Sequence, residues 1–421
     1  MNKLLAWLGR FGTEDRAAVA LLFGVSVVPF MLAAGVALDY SRALDLKTEM
    51  QAALDAGALA AASSRNLSDG ERITLAKTTF TSNFRSRFGV VPVPTVTLVD
   101  GAIRASAAAA LPTAFMKLAG IPKMDVGTNV QIGLPGQRDA EIALVLDYSA
   151  SMNGPPHRGG RVKYLAMRDA ASRMIDDLAA GEGAKHVKFA LVPFSQHVLV
   201  SLPGSMVVSQ EKGTTWTGCT QDRKYPYNLS VTTPDPDEDE TKWGQPLHPI
   251  YGDRPCGAYL SNGLTVRPLS SDHAAVKRQI AGMRPYDMTH IALGFEFGWH
   301  VLSSNAPFNE GVPESDGKTV KVLVLLTDGN QTEQAFGPDG SESPEDGERN
   351  LEQLCRNAKA AGITVATVAF DLDESPSTVE RLRDCASDRS KLFFDVTSSA
   401  DLASAFDGIR SKIQEAIFIA K

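Results

Sequence analysis

Residues 17–38, AAVALLFGVSVVPFMLAAGVAL, contain no charged side chain. A bilayer's hydrocarbon core asks for about 20 apolar residues in one helix, because each residue rises only ~1.5 Å. This stretch meets that length and exceeds the roughly 7–15 apolar residues of a secretory signal. Gly35-Val36-Ala37 offers a small-x-small cleavage site, but the expectation is a retained transmembrane helix over 17–38. Pro29 lies inside it, and a membrane helix tolerates that better than a soluble one. Lys3, Arg10 and Arg16 precede the span, so residues 1–16 are expected in the cytoplasm and residues 39–421 outside it.

The cysteines agree with that topology. Cys219, Cys256, Cys355 and Cys385 all follow the span, and none belongs to a CxxC pair that would point to zinc or thioredoxin-like chemistry. An even set in an exported domain reads as disulfides, with four reduced cysteines in a cytosolic protein as the competing reading. Sequence neighbours would pair Cys219 with Cys256 and Cys355 with Cys385, although two other connectivities exist. The net charge is −7. Without a basic surface the chain has no reason to bind nucleic acid.

Beyond the span, Ala43, Leu46, Met50, Leu54, Gly57 and Ala61 recur at helical spacing as a narrow stripe, so the helix should continue outward. Ser68-Asp69-Gly70-Glu71 has the form of a capping box, opening a second helix through Ile73, Ala76, Phe80 and Phe84. TVTLVDGAIRASA reads as a hairpin turning at Asp100-Gly101. Residues 39–135 are thus expected as a small α+β membrane-proximal unit, ending near Pro135-Gly136.

From Ala140 the pattern changes. Apolar, β-rich runs at 140–146, 187–193, 320–326 and 363–369 alternate with helical segments near 163–179, 289–304, 346–361 and 399–418. That alternation predicts an α/β fold with a doubly wound parallel sheet over 139–421. It lapses between about 202 and 270, which reads as an insertion stapled by Cys219 and Cys256. The acidic run PDPDEDETKWGQP within it imitates an EF-hand start. Glu240 stands at the glycine position and Pro246 at the bidentate Glu position, so a solvated loop is expected instead.

Ligands of such sheets sit at the carboxyl ends of the strands. EIALVLDYSASM ends one strand on Asp147, Ser149 and Ser151, and VKVLVLLTDGN ends another on Asp328. Thr289 opens a helix on the same side. Hard divalent cations favour such oxygens. The set resembles the metal-ion-dependent adhesion site of von Willebrand factor type A domains, whose pattern is Asp-x-Ser-x-Ser, a distant Thr, then Asp-Gly. The resemblance implies that Ser149, Ser151 and Thr289 would ligate Mg²⁺, with Mn²⁺ or Ca²⁺ as alternatives. Asp147 and Asp328 would hold ligating waters, and a partner protein's Glu or Asp would complete the shell. A relic of the fold that binds nothing is the competing reading. Asp147 is expected beyond its strand end, where it would pack little and could be replaced without disturbing the fold. No G-x-S-x-G, Walker, HExxH or dinucleotide motif occurs, so an enzyme is not expected.

The N-terminal segment carries a second resemblance. The apolar run from VALLF, then ALDYSR and MQAALDAGALAAA, is similar to the leader of TadE/TadG-like proteins of Flp/Tad pilus assembly, and TAFMKLAGI and FFDVTSSADLASAFDGI resemble the TadG-type members. Together the two resemblances imply a single-pass protein of a bacterial inner membrane with a periplasmic type A domain. Such a protein would bind another pilus-assembly component. A minor pilin and a surface adhesin using the same site are the alternatives.

Overall fold

The structure is a computed structural model that describes residues 15–64, 67–85, 88–99, 101–134, 136–208, 216–245, 254–372 and 374–419. Lys3, Arg10, Asp100, Pro135 and Pro246 lie outside the described residues. By compactness the chain divides into two units in the region of residue 135.

In the first unit a continuous helix, α1, runs Asp15–Ser63 with Pro29 inside it. It is long and apolar enough to cross a membrane. Its character changes along its length. Phe23, Phe30 and Met31 are exposed, whereas Ala43, Leu46, Met50, Leu54 and Ala61 are buried, as the stripe requires. Helix α2, Asp69–Asn83, starts with both bonds of the capping box between Ser68 and Glu71. Arg72 of α2 donates to the Ala61 carbonyl at 2.8 Å, which fixes its start against the end of α1. Strands β1 (Thr95–Val99) and β2 (Ala102–Pro112) form the expected hairpin. A third strand, β3 (Lys123–Gly133), pairs antiparallel with all of β2, making a three-stranded sheet rather than a lone hairpin. Its pattern, KMDVGTNVQIG, alternates, with Met124, Val126, Thr128, Val130 and Ile132 on one face, the mark of a third strand. Three strands with a helix-covered face satisfy what an isolated hairpin in water does not.

The second unit follows the expected alternation. Its elements are β4 (Ala140–Asp147), α3 (Lys163–Leu178), β5 (Val187–Phe194), α4 (Arg254–Ser261), β6 (Arg267–Ser270) and α5 (His273–Gly282). They continue with α6 (Ile291–His300), β7 (Val320–Thr327), α7 (Pro344–Ala360), β8 (Thr364–Phe370), α8 (Pro376–Cys385), β9 (Phe393–Val396) and α9 (Ser399–Ile417). The sheet order is β9-β8-β7-β4-β5-β6. Five of these strands are parallel and β6 is antiparallel to β5 at one edge. Residues 267–270 therefore belong to the sheet, and the insertion ends before them rather than at 270.

Side chains alternate across a strand, so β4 serves both faces. Ile142, Leu144 and Leu146 pack with α3, α5 and α9. Ala143 and Val145 pack with α6, α7 and α8. Cys355 of α7 is bonded to Cys385 of α8 on that second face, with Cα atoms 5.1 Å apart. Within the insertion, Cys219 is bonded to Cys256, with Cα atoms 5.6 Å apart. The acidic residues Asp235–Glu240 are exposed, but Thr241, Lys242 and Trp243 that follow are buried, so the run is a solvated loop only in its first half.

Candidate metal site at the strand ends

Parallel pairing brings the ends of β8, β7 and β4 to one edge, and each carries an acid: Asp371, Asp328 and Asp147. Asp147 is the last residue of β4 and is fully buried, not projecting beyond the strand. Its Oδ2 accepts from Thr327 Oγ1 at 2.6 Å and its Oδ1 from the Ser149 amide at 2.7 Å. Replacement by alanine would therefore strand two donors, which corrects the expectation that this side chain packs little.

The hydroxyls gather beside it. Ser149 and Ser151 have their Oγ atoms 2.9 Å apart, and Ser151 Oγ donates to Asp328 Oδ1 at 2.6 Å. Thr289 arrives from a separate loop. That loop is tied to β4 by the Tyr286 amide on the Tyr148 carbonyl (2.7 Å) and the Ala150 amide on the Asp287 carbonyl (2.8 Å). Thr289 itself bonds through its amide to Thr332 Oγ1 at 2.9 Å, which anchors it to the segment following Asp328. A Cβ at Gly329 would lie 3.3 Å from Thr289 Oγ1 and 3.8 Å from Ser151 Oγ, so the small residue after Asp328 leaves room where these hydroxyls face. All five sequence-predicted residues thus come together.

Two participants have no local sequence signal. Lys163, at the start of α3, places its ammonium 2.5 Å from Asp328 Oδ2 and 3.5 Å from Asp371 Oδ2. Asp371 also accepts from the His157 amide at 2.9 Å, and it holds a positive φ of 60°, a conformation that costs energy for a non-glycine residue. His290, next to Thr289, turns its ring elsewhere: Nδ1 accepts from the Leu293 amide at 3.2 Å and lies 3.0 Å from Gln331 Nε2.

Burial pushes the Asp147 carboxyl up to about 7; the charge of Asp328 adds to the rise, against the bonds from Ser149 and Thr327. Burial likewise holds Asp328 above its ordinary range, although Lys163 opposes it. Crowded carboxylates of this kind favour a bound cation. Among the described residues no three His, Cys, Asp or Glu side chains form a metal cluster, so an ion here would depend on the hydroxyls. A donor set of two serines, a threonine and two flanking aspartates is all oxygen and fits a hard divalent ion.

Residues 265–408 match the von Willebrand factor type A domain family. The second unit is a von Willebrand factor type A domain of α/β fold. The match begins after the insertion, and β4 with Asp147, Ser149 and Ser151 joins it through parallel pairing with β7 and the bonds described above. Residues 17–64 match the family described as putative Flp pilus-assembly TadE/G-like, so the chain couples a Tad-type pilus-assembly segment to a type A domain. No curated protein matches the sequence. Solved structures that match include the pilus adhesin SpaC from Lactobacillus rhamnosus GG, at 13% identity and TM-score 0.41, covering 78% of this chain and 34% of that one. The chain thus spans about a third of SpaC's length. The vWF domain of the type V pili tip protein Mfa5 from Porphyromonas gingivalis matches at 14% and 0.41, covering 68% and 98%. The PilB minor pilin from Streptococcus sanguinis matches at 12% and 0.39, covering 79% and 80%.

Proposed function

We propose that this chain is a membrane-anchored, metal-dependent protein-binding module acting in assembly or anchoring of a Flp/Tad-type pilus. Residues 17–38 hold it in a bacterial inner membrane, and the type A domain faces the periplasm. The observation that carries the reading is the convergence of Ser149, Ser151 and Thr289 between the buried acids Asp147 and Asp328. The three hydroxyls would hold Mg²⁺, with Mn²⁺ or Ca²⁺ as alternatives, and the two aspartates would orient its waters. A bound ion supplies an electrophilic position for a Glu or Asp carboxylate of another pilus component. Ser149 and Ser151 bond to each other and Ser151 to a carboxylate rather than to a histidine base, which supports binding rather than catalysis.

Calorimetric titration of the full chain with Mg²⁺ and Mn²⁺, beside circular dichroism of the same samples, tests this. The expected result is saturable binding that Asp147→Asn weakens by about 10–100-fold or more while the fold persists. Capture of other Tad components should fall equally with chelator and with that variant, and combining the two should add nothing. A folded wild-type chain that binds neither ion leaves the site a relic and the proposal wrong.

A further inference from the structure

We propose that residues 113–122, the connection between β2 and β3, insert shallowly into the phospholipid surface where α1 leaves the membrane. This rests on the reading of residues 17–38 as a transmembrane helix.

Asp39, the first residue after the uncharged span, is buried, and its carboxylate accepts the backbone amides of Ala114, Phe115 and Met116 at 2.7, 2.8 and 2.8 Å. That clamp holds the connection against α1 at the end of the span. Phe115 reaches further in. Gly35, one turn earlier on the same helix face, is buried, and a Cβ there would lie 2.6 Å from the Phe115 side chain. Four residues of helix rise about 6 Å, so Phe115 touches α1 at the depth where interfacial elements sit, about 5–10 Å into the headgroup and acyl boundary.

The chemistry of the segment suits that position. Phe115, Leu118 and Ile121 are 40%, 72% and 43% exposed, three large apolar side chains on one short connection. Lys117 and Lys123 flank it and are exposed, placed to reach phosphate while their stems lie along the acyl boundary. The backbone is largely satisfied from within, as lipid contact demands. Leu118, Gly120 and Ile121 donate to Phe115, Lys117 and Met116 at 3.0, 3.2 and 3.0 Å, and Thr113 closes the base through Pro122 and Ile121. A water-facing loop needs neither the exposed apolar cluster nor the contact with Gly35.

The test uses the full chain reconstituted in phosphatidylcholine–phosphatidylglycerol vesicles. The native cysteines are paired, so a single introduced cysteine takes an environment-sensitive fluorophore. Leu118→Cys should be quenched strongly by nitroxides at the headgroup and upper acyl chain, and weakly by a deep nitroxide. Val28→Cys should show the reverse depth preference. Asp69→Cys should stay unquenched, since Arg72 holds the start of α2 beside Ala61, about 33 Å along α1 from Asp39. An unquenched Leu118 label beside a quenched Val28 label overturns the insertion and leaves the anchor standing. A Leu118 label that is blue-shifted yet unquenched means a protein covers the loop, which also overturns it. A Val28 label that no nitroxide reaches removes the anchor and the insertion together.

Discussion

Two of the buried polar clusters among the described residues of the type A domain handle buried charge differently. The insertion brings Arg223 onto α6, where it is fully buried with Glu296. Its Nε donates to Glu296 Oε1 at 2.9 Å, its Nη1 to the Thr232 carbonyl at 2.8 Å, and its Nη2 to the Ser230 carbonyl. Trp243 stacks over the guanidinium at 4.8 Å and donates its own N–H to Glu296 at 3.2 Å. Arg223 faces Glu296 there as cation to anion, although burial pushes Glu296 up to about 7 and His300 Nδ1 is left without a hydrogen-bond partner. At the strand ends, Lys163 lies between Asp328 and Asp371, the His157 Nδ1 is 3.1 Å from Asp371 Oδ2, and the charge of Asp328 raises the Asp147 carboxyl further. The first cluster pairs its cation with an anion. The second sets three acids beside one lysine and converging hydroxyls, the arrangement that the proposed function assigns to a cation.

The largest effect should come from breaking the Arg223–Glu296 pair. Arg223→Leu leaves Glu296 buried and unpaired, and urea unfolding should show a loss of about 3–5 kcal/mol. Removing the staple that positions the insertion comes next. Replacing Cys219 and Cys256 by serine opens a loop of 37 residues, and the entropy model puts the cost at about 3–4 kcal/mol. Mg²⁺ titration of that variant below its melting temperature should be unchanged, because the five site residues lie outside the insertion. If metal binding falls with the staple, the two clusters are coupled and the contrast fails.

The strand-end cluster should answer through ligand binding rather than stability. Asp147→Asn keeps an oxygen acceptor for the Ser149 amide and turns its NH2 to Thr327 Oγ1, which as a hydroxyl can accept, while it removes the charge. Mg²⁺ affinity should drop by about 10–100-fold or more, as for groups that orient metal-bound waters, while the unfolding midpoint in chelator stays level or rises. Lys163→Met acts the other way: it removes an ammonium that competes for Asp328, so Mg²⁺ should bind about tenfold more tightly or better. The same variant should lower stability in chelator, since two buried acids lose their partner. Unchanged affinity would show that Lys163 does not occupy the cation's place.

A further effect is a pH slope beside the Arg223–Glu296 pair. Burial pushes Asp222 up to about 7, and the nearby charge of Glu296 adds to it. The native state therefore keeps a proton that the unfolded chain releases near its ordinary value of about 4. The stability this gives is full below that value and is lost as pH rises through about 7. Asp222→Asn mimics the protonated form and still accepts the Phe336 amide. Comparing urea midpoints at several values from pH 4 to pH 8, the variant should lose less stability with rising pH than wild type. Parallel curves would place the titration elsewhere.

Much of this architecture was legible locally. Four apolar runs became strands within a residue or two of their expected ends, because alternation and burial are written in successive side chains. The Ser68–Glu71 box formed as written because a cap needs only residues three apart. The stripe from Ala43 to Ala61 is buried for the same kind of reason, its period matching one helix face. The five converging residues were legible too: the spacing of Asp147, Ser149 and Ser151 is local, Asp328 follows a strand in an Asp-Gly pair, and Thr289 stands at the opening of a helix.

Other features depend on which strands become neighbours. The edge strand Arg267–Ser270 looked like the tail of the insertion because four residues carry little pattern of their own. Asp371 and Lys163 meet Asp328 only because β8 lies beside β7 and α3 returns across the strand ends. Asp39 clamps a connection some 75 residues away through three backbone amides, contacts that no side-chain pattern encodes. The sequence by itself determined most of the strands and helices, the two matched segments and the five residues that converge at the strand ends, largely through short-range patterns. Tertiary structure decided the burial of Asp147 and the lysine that faces its neighbour, because charge pairing depends on distances that exist only once the parallel sheet has formed.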